Sequence, residues 1–159
     1  MSYKNELQEL IKRRMIDEIS AATFYLDAAT LIRDMELAEE IRDHAKDEFD
    51  HFSSLVKFAR GHGLEVRYDF DRSVIKNVPA KTKALTSIIQ GLERKAISDY
   101  REMAILCKDN MDLEGEKFFK TIMLEEMEHF DDVAQKTGET RKLGESFKKF
   151  KKFKDKFKG

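Results

Sequence analysis

A chain of 159 residues is the size of one domain and can bury roughly 70% of its unfolded surface. Its 30 basic and 31 acidic side chains nearly cancel, which excludes a whole-chain bias toward nucleic acid or membrane, and its one cysteine, Cys107, excludes an internal disulfide or a cysteine metal cluster. No apolar run approaches the ~20 residues of a membrane span and the N-terminus is charged throughout, so a soluble, unprocessed, cytoplasmic protein is expected.

One proline, Pro79, and seven glycines leave few breaks, and strand-like alternation is hard to find, so the expected fold class is all-α. A first helix is predicted over about residues 3–32, with an apolar stripe at Leu7, Leu10, Ile11, Met15, Ala22, Leu26 and Ala29. Glu18 falls inside that stripe. A reversal near Asp34-Met35 leads to a second helix over about residues 36–60, with Leu37, Ile41, Leu55 and Phe58 inward and Gly61-His62-Gly63 as its stop. Glu48 and His51 complete its inner spacing.

Between about residues 63 and 80 the periodicity lapses. About 18 residues reach at most about 60 Å when extended, against roughly 40 Å for helices of this length, so the stretch is predicted to be a crossover along the bundle. The third helix is expected over about residues 81–108, carrying Leu85, Ile89, Ala96, Tyr100 and Met103 with Glu93 in register. The fourth is expected over about residues 113–136, carrying Phe119, Ile122 and Val133 with Glu126 and His129 in register. After Gly138 the composition changes: Phe147, Phe150, Phe153 and Phe157 share a helical face and lysines cover the rest. The expected organisation is a four-helix bundle at residues 1–137 and a basic amphipathic C-terminal helix at 138–159.

Two stretches carry the chemistry, Asp47-Glu48-Phe49-Asp50-His51 and Glu125-Glu126-Met127-Glu128-His129. Helix positions three apart lie on one face, so each Glu–His pair is a two-toothed clamp. Glu18 and Glu93 add a carboxylate from each of the other two helices, making the four-Glu, two-His ligand pattern of a two-metal site in a bundle. The two halves of the chain also repeat. Glu18 and Tyr25 answer Glu93 and Tyr100, Asp34-Met35-Glu36-Leu37 answers Asn110-Met111-Asp112-Leu113, and His51-Phe52 answers His129-Phe130. One helical hairpin therefore occurs twice, which suits pseudo-twofold symmetry about the site.

Four buried carboxylates cost many kcal/mol without counter-charge, and two divalent cations would neutralise them. Oxygen and imidazole ligands without sulfur suit iron, or manganese, better than a closed structural zinc site. Glu48 and Glu126 are expected to bridge the ions, Glu18 and Glu93 to cap one each, and His51 and His129 to give one nitrogen each. A ligating imidazole normally gives its other N–H to an acid or carbonyl, so Asp47 is expected to accept from His129 and Glu125 from His51, across the pseudo-twofold. Tyr25 and Tyr100 are expected to hydrogen-bond the capping carboxylates or lend an electron. His44 is expected to be a core or supporting histidine and His62 a helix cap. A single Glu-x-x-His is usually a solvated ion pair; two copies, with two more glutamates inside apolar stripes, favour the metal reading.

Over about residues 5–135 these motifs resemble the ferritin-like superfamily, and most resemble bacterioferritins and rubrerythrins. The resemblance implies an up-down bundle with a long connection between its second and third helices, and a dimetal site that activates O₂ or peroxide. The likeness to bacterioferritins covers Glu18, Tyr25, Glu48, His51, Glu93, Glu126 and His129. It departs at Phe49, where that family carries its haem-binding methionine, so haem is not expected. Rubrerythrins typically carry an additional Glu ligand and a rubredoxin-like domain with four cysteines, which Cys107 alone does not supply.

The resemblance implies an enzyme, a diiron-carboxylate oxidoreductase. Its expected activity is that of a ferroxidase oxidising Fe(II) with O₂ or H₂O₂ in iron storage or detoxification. The alternatives are a peroxide reductase fed by an external electron donor, a hydroxylase of a lipid-soluble substrate like the demethoxyubiquinone hydroxylases, and a non-enzymatic scaffold. Two iron ions, or manganese, are the expected cofactor and a homo-oligomer, dimer or cage, the expected assembly. The Phe/Lys tail is expected to dock on the bundle, on a partner or on a membrane surface. No nucleic acid is expected as a partner.

Overall fold

The computed structural model describes residues 2–65, 79 and 81–138. They form four helices, α1 (Tyr3–Leu31), α2 (Met35–Gly61), α3 (Thr82–Asp109) and α4 (Leu113–Thr137), with no strand among the described residues. Each end lies within one residue of the sequence expectation. The central part of the expected crossover and the whole Phe/Lys tail lie outside the described residues. None of the described helices is long and apolar enough to cross a membrane.

Short polar side chains start three of the helices, and left-handed glycines follow the ends of two. Ser2, Asp34 and Asp112 each accept a hydrogen bond from a backbone N–H of the first turn that follows. After α4, Gly138 takes a left-handed φ of 72°, and Gly63 does so beyond α2 at 61°. At the α3–α4 turn Gly115 has a different reason to be glycine. A Cβ there would stand 2.6 Å from Asp112 Oδ2 and 2.7 Å from the buried Cys107 Sγ. Asp112 cannot retreat easily, because it caps α4 through Gly115 N and accepts the Tyr3 hydroxyl. Gly115→Ala is therefore expected to destabilise the fold by about 1–3 kcal/mol, seen as a lower urea midpoint at unchanged slope.

Two apolar clusters fix the topology. One joins Leu7, Leu10, Ile11 and Met15 of α1 to Leu55 and Phe58 of α2, Tyr100 and Met103 of α3, and Phe119 and Ile122 of α4. The other joins Ala28 and Ile32 to Leu37 and Ile41, Leu85 and Ile89, and Val133. The start of α1, the ends of α2 and α3 and the start of α4 thus share one end of the bundle. Helices α2 and α3 run in the same direction, so their connection has to return along the bundle, as a long crossover does. The helix α1 lies along α2 and α3 along α4, while α2 and α4 approach each other least of the neighbouring pairs.

The α1 stripe differs from the expected one at a single place. Leu26 is 53% exposed, and the inner position next to it belongs to Tyr25. Buried positions along α1 follow a seven-residue spacing through Leu7, Arg14, Ala21 and Ala28, with Ile11, Glu18 and Tyr25 between them. Leu26 lies about 100° round the helix from Tyr25, on the outer face.

Candidate metal centre

Between the two apolar clusters the core is ionic. Glu18, Glu48, His51, Glu93, Glu126 and His129 are all buried there, and none exceeds 6% exposure. They fall into two overlapping sets: Glu18, Glu48, His51 and Glu126, and then Glu48, Glu93, Glu126 and His129. Within each set one candidate ligand atom per residue lies within 4.8 Å of the others. Glu48 and Glu126 are common to both sets, as the side chains facing one another from α2 and α4.

The imidazoles are oriented alike. Nδ1 of His51 faces Glu48 Oε2 at 3.4 Å and Glu126 Oε1 at 3.3 Å. Nδ1 of His129 faces Glu48 Oε1 at 3.4 Å, Glu126 Oε2 at 3.5 Å and Glu93 Oε2 at 3.8 Å. Each Nε2 points outward, and His51 donates to Glu125 Oε2 at 2.9 Å while His129 donates to Asp47 Oδ2 at 3.2 Å. These bonds cross between α2 and α4, because Asp47 and Glu125 each precede the shared glutamate of the opposite clamp. Anchoring Nε2–H in this way makes Nδ1 the nitrogen that would give its lone pair to an ion.

The tyrosines also cross over. Tyr25 donates to Glu93 Oε1 at 2.6 Å, and Tyr100 donates to Glu18 Oε1. Each reaches the glutamate of the other hairpin, since a residue seven positions along its own helix is about 10.5 Å away. Burial, and then the adjacent carboxylate charge, push both phenols well above their usual range, so they remain O–H donors.

One member of the site is absent from the sequence reading. Arg14 is only 3% exposed; its Nε donates to Glu18 Oε1 at 2.9 Å, its Nη1 to Asp99 Oδ2 at 3.1 Å, and its guanidinium lies over the Tyr100 ring. The Arg-x-x-x-Glu spacing was the only signal available, and in a chain this charged it reads as a surface pair. The corresponding place in the second hairpin, 75 residues on, is Ile89, so the Glu18 corner carries a cation that the Glu93 corner does not. His44, expected in the core, is buried with its ring stacked on His129 at 4.3 Å between centroids. His62 hydrogen-bonds through Nδ1 to Phe58 O at the α2 terminus.

The electrostatics describe a cavity of charges held by protons. Burial, followed by neighbouring carboxylates for Glu93 and by those same charges against Arg14 for Glu18, pushes both carboxyls well above the usual range. Burial alone would raise Glu48 too, but contacts with His129 and His51 hold it well below. Burial and the Glu48 charge would raise Glu126, and the same two imidazoles keep it lowered. Against the cost of burial, Glu125, Glu126 and Glu48 hold His51 up at about 12, and Asp47, Glu126 and Glu48 raise His129 similarly. Even so, Glu18 Oε2, Glu48 Oε1, both Glu126 oxygens and the Nδ1 atoms of His51 and His129 are buried with no hydrogen-bond partner. Buried polar atoms are rarely left so, and here six of them converge. Their chemistry, oxygens and imidazole nitrogens around a shared pair of carboxylates, fits two hard or borderline divalent cations.

A groove of about 630 Å³ opens along the loose α2–α4 seam onto the outer edges of both imidazoles. Among the described residues, Asp47, Asp50, Glu114, Glu125 and Glu128 line it, together with Lys117 and the two imidazoles.

Comparison with known proteins agrees with this architecture. Two solved structures superpose on the chain with a TM-score of 0.75. Bacterioferritin BfrA of Mycobacterium tuberculosis is 17% identical, with 89% of each chain covered. The bacterioferritin of Desulfovibrio desulfuricans, whose structure is described as showing its diiron site in different catalytic states, is 20% identical, with 91% of this chain and 85% of that one covered. At such identity they show the fold. Among curated proteins no match was found. The family model named Rubrerythrin matches residues 9–136, nearly the whole described bundle. By that match, within the ferritin-like superfamily whose fold it shares, the chain belongs to the rubrerythrin family.

Proposed function

We propose that this chain is a diiron-carboxylate oxidoreductase that oxidises Fe(II) with O₂ or H₂O₂ in iron storage or detoxification. The carrying observation is the convergence of six buried ligand atoms without hydrogen-bond partners at the centre of the bundle. Glu18, Glu48, His51 and Glu126 would hold one ion and Glu93, Glu48, Glu126 and His129 the other, so that four carboxylates balance two divalent charges. Bound iron supplies the one-electron redox chemistry that O₂ or peroxide reduction needs.

The protein's own groups orient and supply. Asp47 and Glu125 hold the imidazoles with Nδ1 inward. Tyr25 and Tyr100 fix Glu93 and Glu18 through their hydroxyls, and stand close enough to give an electron to the site, each with its proton passing to the carboxylate it already bonds. The acidic α2–α4 groove attracts Fe(II) as substrate, since a single-sign cleft concentrates counter-ions. Replacing Asp47 or Glu125 by Ala is expected to weaken metal binding about 10–100-fold, measured by competition with a chelator, because the ring would lose its anchor while every ligand remained.

The family match favours one second reading, peroxide reduction with an external electron donor. Stopped-flow mixing of the Fe(II)-loaded chain with O₂ or H₂O₂ tests both. Two irons per chain, fast oxidation and accumulating ferric mineral are the expected result; repeated peroxide turnover with a reductant and no mineral would replace it with the second reading. Iron binding no greater than that of a Glu48→Gln, Glu93→Gln double variant would overturn both. We also propose a homo-oligomer, for which light scattering on a size-exclusion column is the measurement. Met35 at one end of the bundle, and Met111 and Leu113 at the other, are exposed apolar side chains that such an assembly would cover.

A further inference from the structure

Beyond the central six, one more set of metal-ligating side chains comes together among the described residues. Glu40 and His44 stand four apart on α2, about two turns and one turn before Glu48, and Asp132 stands three after His129 on α4. One ring nitrogen of His44 and one oxygen each of Glu40 and Asp132 lie within 4.8 Å of one another.

Packing alone does not account for His44. It is 4% exposed, its Nδ1 has no hydrogen-bond partner, and its Nε2 faces Asp132 Oδ2 at 3.8 Å. That separation is too long for a hydrogen bond. It is the spacing of two ligands on one ion, since bonds of about 2.0–2.2 Å place neighbouring ligand atoms roughly 3–4 Å apart. Glu40 and Asp132 are the two acids of the set. The cation beside them is Lys136, whose Nζ lies 2.7 Å from Glu40 Oε2 and 3.9 Å from Glu36 Oε2, on a side chain 36% exposed. That ammonium is long, flexible and able to leave.

His44 also belongs to a second set, with Glu93 and His129, whose candidate ligand atoms again lie within 4.8 Å of one another. One side chain thus borders both the outer acids and the Glu93 corner of the centre.

We propose that Glu40, His44 and Asp132 form a third divalent-cation site on the α2–α4 seam, from which His44 hands ions to the Glu93 corner of the dimetal centre. With two carboxylates and one imidazole the site leaves positions open to water, and it binds more weakly than a centre with four carboxylates. The hand-off rests on the dimetal reading; the site itself does not.

Anaerobic titration of the intact chain with Mn(II), counting free Mn(II) by its EPR signal, tests the proposal. The expected result is about three ions per chain, the last at least about tenfold weaker. Asp132→Asn, a change at a half-exposed position, is expected to bind about two, and Lys136→Gln to bind the weak ion more tightly because the competing ammonium is gone. Two ions per chain in the unaltered protein, a weak ion that persists in Asp132→Asn, or a weak ion loosened in Lys136→Gln would overturn the site. A single ion, lost in Asp132→Asn, would instead sink the dimetal centre and leave the outer site standing.

Discussion

Glu126→Gln is expected to lower the melting temperature of the metal-free protein and to lower that of the metal-loaded one further. Glu126 is fully buried, neither of its oxygens has a hydrogen-bond partner, and it belongs to both ligand sets. In the metal-free chain the His51 and His129 imidazoles hold its carboxyl low, so an uncharged isostere leaves those buried cations short of a counter-ion. The loss is about 3–5 kcal/mol by the behaviour of buried ion pairs deprived of one partner. With metal the loss is larger. Each ion held at about 1,000 times its dissociation constant stabilises the fold by about 4 kcal/mol, and losing the shared carboxylate loosens both ions. Calorimetry with chelator and with saturating Mn(II) measures both shifts in one experiment. Fe(II) oxidation should fall by at least about 100-fold in the same variant. Equal shifts in both conditions would mean that Glu126 holds no metal.

The second large effect is one of pH. His51 is held at about 12 in the folded chain, against an ordinary value of 6.5, and His129 is raised in the same way. Folding therefore captures protons that the unfolded chain releases. The resulting stabilisation is complete below about pH 6.5 and drains away as pH rises toward 12. Glu18 and Glu93, raised above 4.5, act in the same sense from a lower starting pH. On the acid side Glu48 and Glu126, both held low, contribute above about pH 4.5 and lose that contribution as pH falls further.

An ion cannot share an Nδ1 lone pair or a protonated carboxyl with a proton, so binding must expel what burial retained. Metal affinity is thus expected to climb between pH 6 and 9, by about tenfold per unit or more, while the metal-free melting temperature declines. The gap between loaded and metal-free stability widens accordingly. Calorimetric titration of Mn(II) in two buffers of different ionisation enthalpy counts the expelled protons directly. Affinity independent of pH over that range would show that the buried cluster is no metal site.

Much of this architecture was legible because helices are local. Apolar spacing placed the four helices to within a residue, since each turn is specified by side chains three and four positions apart. The same spacing put Glu18, Glu48, His51, Glu93, Glu126 and His129 on inward faces, where the structure buries them. The repeat of one hairpin implied facing clamps, and the acids before each shared glutamate implied hydrogen bonds that cross between α2 and α4.

Sequence by itself thus determined direction around each helix axis, which depends only on the 3.6-residue turn. Partnership between helices depends on their height and orientation in the bundle, and that only the tertiary structure decided. It turned Tyr25 to Glu93 and Tyr100 to Glu18, put Tyr25 where Leu26 was expected to be, and drew Arg14 from an apparent surface pair into the core. It also brought Asp132 of α4 to Glu40 and His44 of α2, residues that share no motif and meet only because two antiparallel helices pass one another at that level.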